Sequence, residues 1–151
     1  ITDRKKALFK LSTGKYVMPQ PIENRMGSAP LVDNAVVVGS DRKFCAALVF
    51  PALDQVRAKA EELDLDPDRD VDDLLAEPDI EDSFRSIVQG ANEGIDHWST
   101  VKRFALIPEE LTVESRPKVH DAYEDVIEAL YYEDDDSPGD RTDRGAVLVE
   151  V

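Results

Sequence analysis

A chain of 151 residues with 33 acidic against 18 basic side chains, formal net charge −15, has room for one hydrophobic core but is small for an enzyme that must hold several substrates. The acidic balance argues against nucleic acid as a partner, because such binding rests on Lys and Arg neutralising phosphates. A single cysteine rules out an internal disulfide and points to a cytoplasmic location.

Dense carboxylates also keep a surface hydrated at high salt, a second reading of the same composition. No Gly/Ser/Thr-rich phosphate loop occurs. The sequence opens mid-pattern at Ile1 without a Met or a leader, as an excised domain does, and the expectation is a fragment.

In chain order, Ala7-Leu8-Phe9-Lys10-Leu11 and Lys15-Tyr16-Val17-Met18 suit two short strands around a turn at Ser12-Thr13-Gly14, which predicts a β-hairpin. Gly14 either adopts a positive φ or lets a ligand pass close to bare backbone, and the sequence leaves these two needs unseparated. Arg4, Lys5, Lys6, Lys10 and Lys15 make this end cationic on an acidic body. That polarity suits an anionic ligand, or else is a solvated hairpin with ordinary lysines. Pro19 and Pro21 stop the second strand and open a short helix through Ile22 and Met26.

Residues 31–39 and 44–50 are buried-type strands with a turn at Ser40-Asp41-Arg42, and should pair as a hairpin. Cys45 lies in the second, a nearly continuous apolar run, so it reads as a small core residue; neither His97 nor His120 is near it in sequence to activate a nucleophile. After Pro51, Leu53, Val56, Ala60 and Leu63 recur at helical spacing; after Glu77-Pro78, so do Ile80, Phe84, Ile87, Val88, Ala91 and Ile95.

Between these helices, residues 64–77 read as an acidic solvated connection. A calcium loop is the rival: Asp66, Asp68, Asp70, Asp72 and Glu77 fall at positions one, three, five, seven and twelve, but Val71 stands where the loop needs Gly and Pro67 stiffens position two. No metal site is assigned. Val101, Phe104, Ala105 and Leu106 predict a further strand closed by Pro108, with Trp98 as a core or rim aromatic rather than a ligand stacker, and His97 without a second ligand. The last helix opens at Pro117 and carries Val119, Ala122, Tyr123, Val126, Ile127, Leu130 and Tyr131 on one stripe. Residues 132–151 form an acidic tail, too polar around 133–140 to fold alone, ending in an apolar run, 146–151, that is either an edge strand or a loose end. The order of elements predicts an α+β fold, a hinge hairpin followed by a small, mainly antiparallel sheet flanked by helices.

Asp3-Arg4-Lys5-Lys6, Leu8, Lys10-Leu11-Ser12, Gly14, Tyr16-Val17, Pro19 and Ile22-Glu23 together resemble the hinge motif that opens the C-terminal domain of AMP-forming acyl-CoA synthetases, in the long-chain fatty acyl spelling. The strand at 101–106 and its Pro-containing turn also resemble this family, and the likeness extends over residues 1–131. It implies a fatty acid:CoA ligase that adenylates a carboxylate with ATP and Mg, then rotates its C-terminal domain so that coenzyme A attacks the adenylate. By the same resemblance, Lys6 is the hinge and Arg4 approaches the nucleotide ribose. Ser12, Thr13 and Gly14 line the pantetheine path, Lys10 and Lys15 meet coenzyme A phosphates, and Glu23 braces the start of the helix. The partner is an N-terminal adenylate-forming domain of the same chain, which would hold the fatty acid, the Mg and any peripheral membrane contact; the isolated chain is expected to be inactive.

One part of the resembled pattern is missing. Glu110-Leu111-Thr112-Val113-Glu114-Ser115 runs straight into Arg116-Pro117-Lys118-Val119, where the family has a Gly-rich segment bearing the adenylation lysine. The expectation is that roughly ten residues of a mobile Gly-containing loop belong between Ser115 and Arg116, and that Lys118, on the helix side of the junction, is no substitute for that lysine; the alternative is a genuine deletion, which would leave the domain unable to adenylate even when joined to its large partner. A reading from another class stays open: a stand-alone binding or regulatory module that docks an acidic partner through the cationic hairpin.

Overall fold

The computed structural model describes residues 8–109, 118–131 and 146–151. Its centre is a four-stranded sheet, β3 (Val32–Val38), β4 (Cys45–Pro51), β5 (Val101–Leu106) and β6 (Val147–Glu150), in that spatial order. β3 pairs antiparallel with β4 and β6 antiparallel with β5, while the central β4–β5 pair is parallel. The parallel pair explains the continuous apolar run around Cys45, since a strand covered on both faces has no solvent side to alternate toward. The expected small, mainly antiparallel sheet with flanking helices is the fold observed, and the parallel β4–β5 pair, not expected from the sequence, makes the sheet mixed.

Alternation along β4 divides the core in two. Cys45, Ala47 and Val49 face a layer formed by α1 (Pro19–Gly27), α2 (Leu53–Glu62), α3 (Val71–Leu75) and α4 (Pro78–Ala91). Ala46, Leu48 and Phe50 face α5 (Val119–Ala122) and α6 (Glu124–Leu130) on the other side. Pleating alone assigns these residues to opposite layers. The crossover between the parallel strands carries α2, α3 and α4, as a parallel connection requires.

Two local expectations change, and an alternative left open by the sequence is decided. Residues 64–77 are not a wholly solvated connection: α3 lies within them and buries Leu74 and Leu75 completely. The stripe predicted as one last helix breaks at Tyr123 into α5 and α6, leaving Ala122 exposed. The terminal apolar run is an edge strand, with Val147 and Val149 in the core beside Phe104 and Leu106. Among the described residues no helix is long and apolar enough to cross a membrane.

Candidate functional site

The N-terminal hairpin forms as its sequence predicts, with β1 (Phe9–Lys10) antiparallel to β2 (Tyr16–Val17). Leu11 and Val17 sink into the core, leaving Lys10, Ser12, Thr13, Gly14 and Lys15 together on an exposed loop. The turn closes through Gly14 N–H to the Leu11 carbonyl at 2.9 Å and Leu11 N–H to the Lys15 carbonyl at 2.8 Å. Gly14 has φ +96°, so the turn itself demands glycine, and a Cβ built there meets nothing within 4 Å. The two needs left open by the sequence therefore separate: backbone geometry selects Gly14, and the space beside it is free for a ligand.

The loop is fastened to the body on both sides. Ser12 N–H donates to the Arg42 carbonyl and Asp41 N–H to the Lys10 carbonyl, both at 2.9 Å. Gly39 lies beneath β1, where a Cβ would stand 3.0 Å from the Phe9 ring and 3.1 Å from the Phe44 carbonyl oxygen; a side chain here would push the hairpin off the sheet. On the other flank the Trp98 indole N–H donates to the Tyr16 carbonyl at 3.2 Å, and the Lys15 ammonium lies 4.8 Å from the Trp98 ring centroid. Trp98 is thus a rim residue that ties the short 3-10 turn His97–Ser99 to the hairpin. His97 is exposed and sits edge-on to Trp98.

Leu8, Tyr16 and Met18 are large apolar side chains left exposed, all on the hairpin or beside it. Arg4 and Lys6 fall outside the described residues, as do Ser115 and Arg116. Lys118 is exposed at the start of α5, a helix packed on the sheet face opposite the one that receives Leu11 and Val17.

Glu23 does something other than brace the start of its helix. From α1 its carboxylate accepts the Val37 N–H at 2.8 Å, satisfying a backbone donor of β3, the outer strand of the sheet. The calcium-loop pattern does not assemble. Glu77 pairs with Arg69 at 2.8 Å and the Asp66 carboxylate accepts the Asp68 N–H at 3.0 Å; of the five proposed ligands only Asp70 and Asp72 fall into one carboxylate group, with Asp73. Cys45 is fully buried, its Sγ 3.9 Å from the Trp98 carbonyl, and burial pushes its thiol up to about 11, with Lys102 opposing weakly. A thiol held protonated is a core residue, not a nucleophile.

The family model described as AMP-binding enzyme C-terminal domain matches residues 6–135. The chain belongs to that family. Among curated relatives, this AMP-binding C-terminal domain is 27% identical over 141 residues to long-chain-fatty-acid-CoA ligase FadD15 of Mycobacterium tuberculosis, covering 87% of the chain and 24% of the ligase. It is 26% identical over 144 residues to human long-chain-fatty-acid-CoA ligase 1, covering 87% of the chain and 20% of the ligase. The chain therefore spans about a quarter or less of the length of these relatives. The A-PCP didomain of carboxylic acid reductase from Segniliparus rugosus, solved in complex with AMP, superimposes with TM-score 0.59 at 26% identity over 82% of this chain and 17% of that one. The match to FadD15 takes in 141 positions but only 87% of the 151 residues here, so the aligned stretch contains positions that this AMP-binding C-terminal domain lacks.

Proposed function

We propose that this chain is the C-terminal domain of a long-chain fatty acid:CoA ligase, which converts ATP, fatty acid and coenzyme A into acyl-CoA, AMP and diphosphate. The observation that carries the reading is the family match over residues 6–135, with long-chain fatty acid ligases among the relatives. In the first half-reaction the carboxylate attacks the α-phosphorus and diphosphate leaves; in the second the coenzyme A sulfur attacks the acyl carbonyl and AMP leaves. ATP, fatty acid and Mg belong to an N-terminal adenylate-forming domain. The C-terminal domain, this chain, contributes Arg4 toward the ribose, Lys6 as the hinge between the two half-reactions, and the loop of Ser12, Thr13 and Gly14 along the pantetheine, with Lys10 and Lys15 toward the phosphates.

The exposed loop and the free space beside Gly14 support the coenzyme A role. The hinge role rests on the resemblance and on the general rule that a few torsions suffice for a domain rotation. The positions lacking here relative to FadD15 leave room for an adenylation-lysine segment, which the resemblance puts between Ser115 and Arg116.

A second reading gives the acyl group to a carrier-domain thiol instead of free coenzyme A, favoured by the likeness to the A-PCP didomain. The reading as a stand-alone docking module has less support, because the relatives are far longer than this chain. The test restores the lysine-bearing segment between Ser115 and Arg116, joins the chain to its N-terminal domain, and supplies ATP and palmitate with either coenzyme A or a carrier domain. Palmitoyl-CoA from the joined protein, and none from the 151-residue chain, is the expected result; acylation of the carrier alone would favour the reductase-type reading, and turnover by the isolated chain would overturn both. In the joined enzyme Lys6→Pro, which fixes φ near −65°, should suppress one half-reaction and spare the other.

A further inference from the structure

Helix α6 ends at a tyrosine built into the sheet. The Tyr131 hydroxyl donates to the Phe44 carbonyl at 2.7 Å and lies 3.3 Å from the Val38 carbonyl. These two carbonyls flank the β3–β4 turn. The Tyr131 ring packs on Phe44 with centroids 4.8 Å apart, and the Arg42 guanidinium carbon lies 4.8 Å from the Tyr131 centroid. Arg42 also pairs with the Glu128 carboxylate, on the preceding turn of α6. Beyond Phe44 the Arg103 guanidinium sits 5.6 Å from that ring's centroid and donates to the Leu130 carbonyl at 2.9 Å. Arg42, Tyr131, Phe44 and Arg103 thus form a continuous series of cation–aromatic and aromatic contacts joining the end of α6 to the turn.

The turn held by these contacts has an unusual backbone. Asp41 occupies the left-handed region at φ 61°, uncommon outside glycine, though aspartate adopts it in turns more readily than most residues. That conformation directs two backbone groups to the hairpin, the Asp41 N–H to Lys10 and the Arg42 carbonyl to Ser12. β1 and β2 have only two residues each, and a ribbon that short does not hold its own shape in water.

We propose that Arg42 is a positioning residue for the coenzyme A loop: its side chain clamps the turn onto α6 through Tyr131 and Glu128, and its carbonyl sets where Ser12, Thr13 and Gly14 stand. The inference rests on the reading of that loop as the coenzyme A path. The test uses Arg42→Ala, Arg42→Lys and Tyr131→Phe in the full-length enzyme, followed by amide hydrogen exchange and by the two half-reactions. In Arg42→Ala and Tyr131→Phe, Ser12 exchange should rise about tenfold while Val49 in β4 is unchanged. KM for coenzyme A should rise severalfold at unchanged ATP–diphosphate exchange, and Arg42→Lys should recover part of the KM.

Slow Ser12 exchange in both loosened variants overturns the clamp; fast exchange with an unchanged KM, or with an equal loss of both half-reactions, overturns Arg42 as a positioning residue for coenzyme A. Gly14→Trp separates the two ideas. If it leaves thioester formation untouched, the loop is not the coenzyme A path, and Ser12 exchange still decides whether Arg42 holds the loop.

Discussion

At the scale of single residues, Gly14 and Cys45 show how burial and backbone geometry decide what a side chain does. Gly14 is required by its φ of +96°, so any substitution strains the turn, and the informative experiment compares two of them. Gly14→Ala adds strain with little bulk into open space, whereas Gly14→Trp adds both. If pantetheine passes here, thioester formation should fall at least tenfold further in Trp than in Ala, with adenylation equal in the two; equal loss in both variants would assign the defect to the turn. For Cys45 the thiol is raised from 9.0 to about 11 in the folded chain. Between those values the unfolded chain has lost the proton and the folded chain keeps it, so stability falls as pH rises through this window. The loss is on the order of 2 kcal/mol by pH 11. Urea unfolding of parent and Cys45→Ala at pH 7 and pH 10.5 checks this: the variant should lose less stability than the parent between the two pH values.

At the scale of elements, α3 and the start of β5 carry what the sequence pattern concealed. Leu74 and Leu75 are fully buried in a stretch dominated by aspartates. Leu75→Ala should therefore cost about 2–5 kcal/mol, as core truncations do, where a solvated connection would lose under about 0.5 kcal/mol. Denaturant midpoints distinguish the two. Asn92, just past α4, acts as a substitute strand: its side chain donates to the Val101 carbonyl at 3.0 Å and accepts the Val101 N–H at 2.8 Å. Asn92→Ala would leave both backbone groups short of a partner and should cost about 1–3 kcal/mol. Neither residue stands out in the sequence, because two leucines are too short a signal for a helical period and a lone Asn after a helix reads as an ordinary cap.

At the scale of the whole molecule, a net charge of −15 opposes compaction. The ion pairs Arg42–Glu128, Lys59–Glu62, Arg69–Glu77, Arg85–Asp82 and Arg103–Glu150 keep substantial exposure on at least one member and each offsets little of the repulsion. Raising KCl from 0.01 to 1 M shortens the screening length from about 30 Å to about 3 Å, so the thermal midpoint of the chain should climb by several degrees. A midpoint that falls with salt would mean that attractive pairs outweigh the repulsion.

The hairpin, α1, the β3–β4 pair, α2, α4 and β5 were legible in the sequence, since each is specified by a local apolar period bounded by Pro, Gly or a polar turn. The family was legible from the motif at the N-terminal end, and with it the residues brought together on the hairpin loop. Folding decided what depends on contacts between distant segments. It placed the terminal run 146–151 on β5, broke the last helix at Tyr123, took Glu23 from its own helix to β3, and set Tyr131 against the β3–β4 turn whose Arg42 carbonyl meets the loop. Periodicity records which face of an element is buried, but carries no record of which element lies across from it. A hydrogen bond between residues 86 or 87 positions apart, as at Arg42–Glu128 and Phe44–Tyr131, exists only once the sheet has brought its ends together.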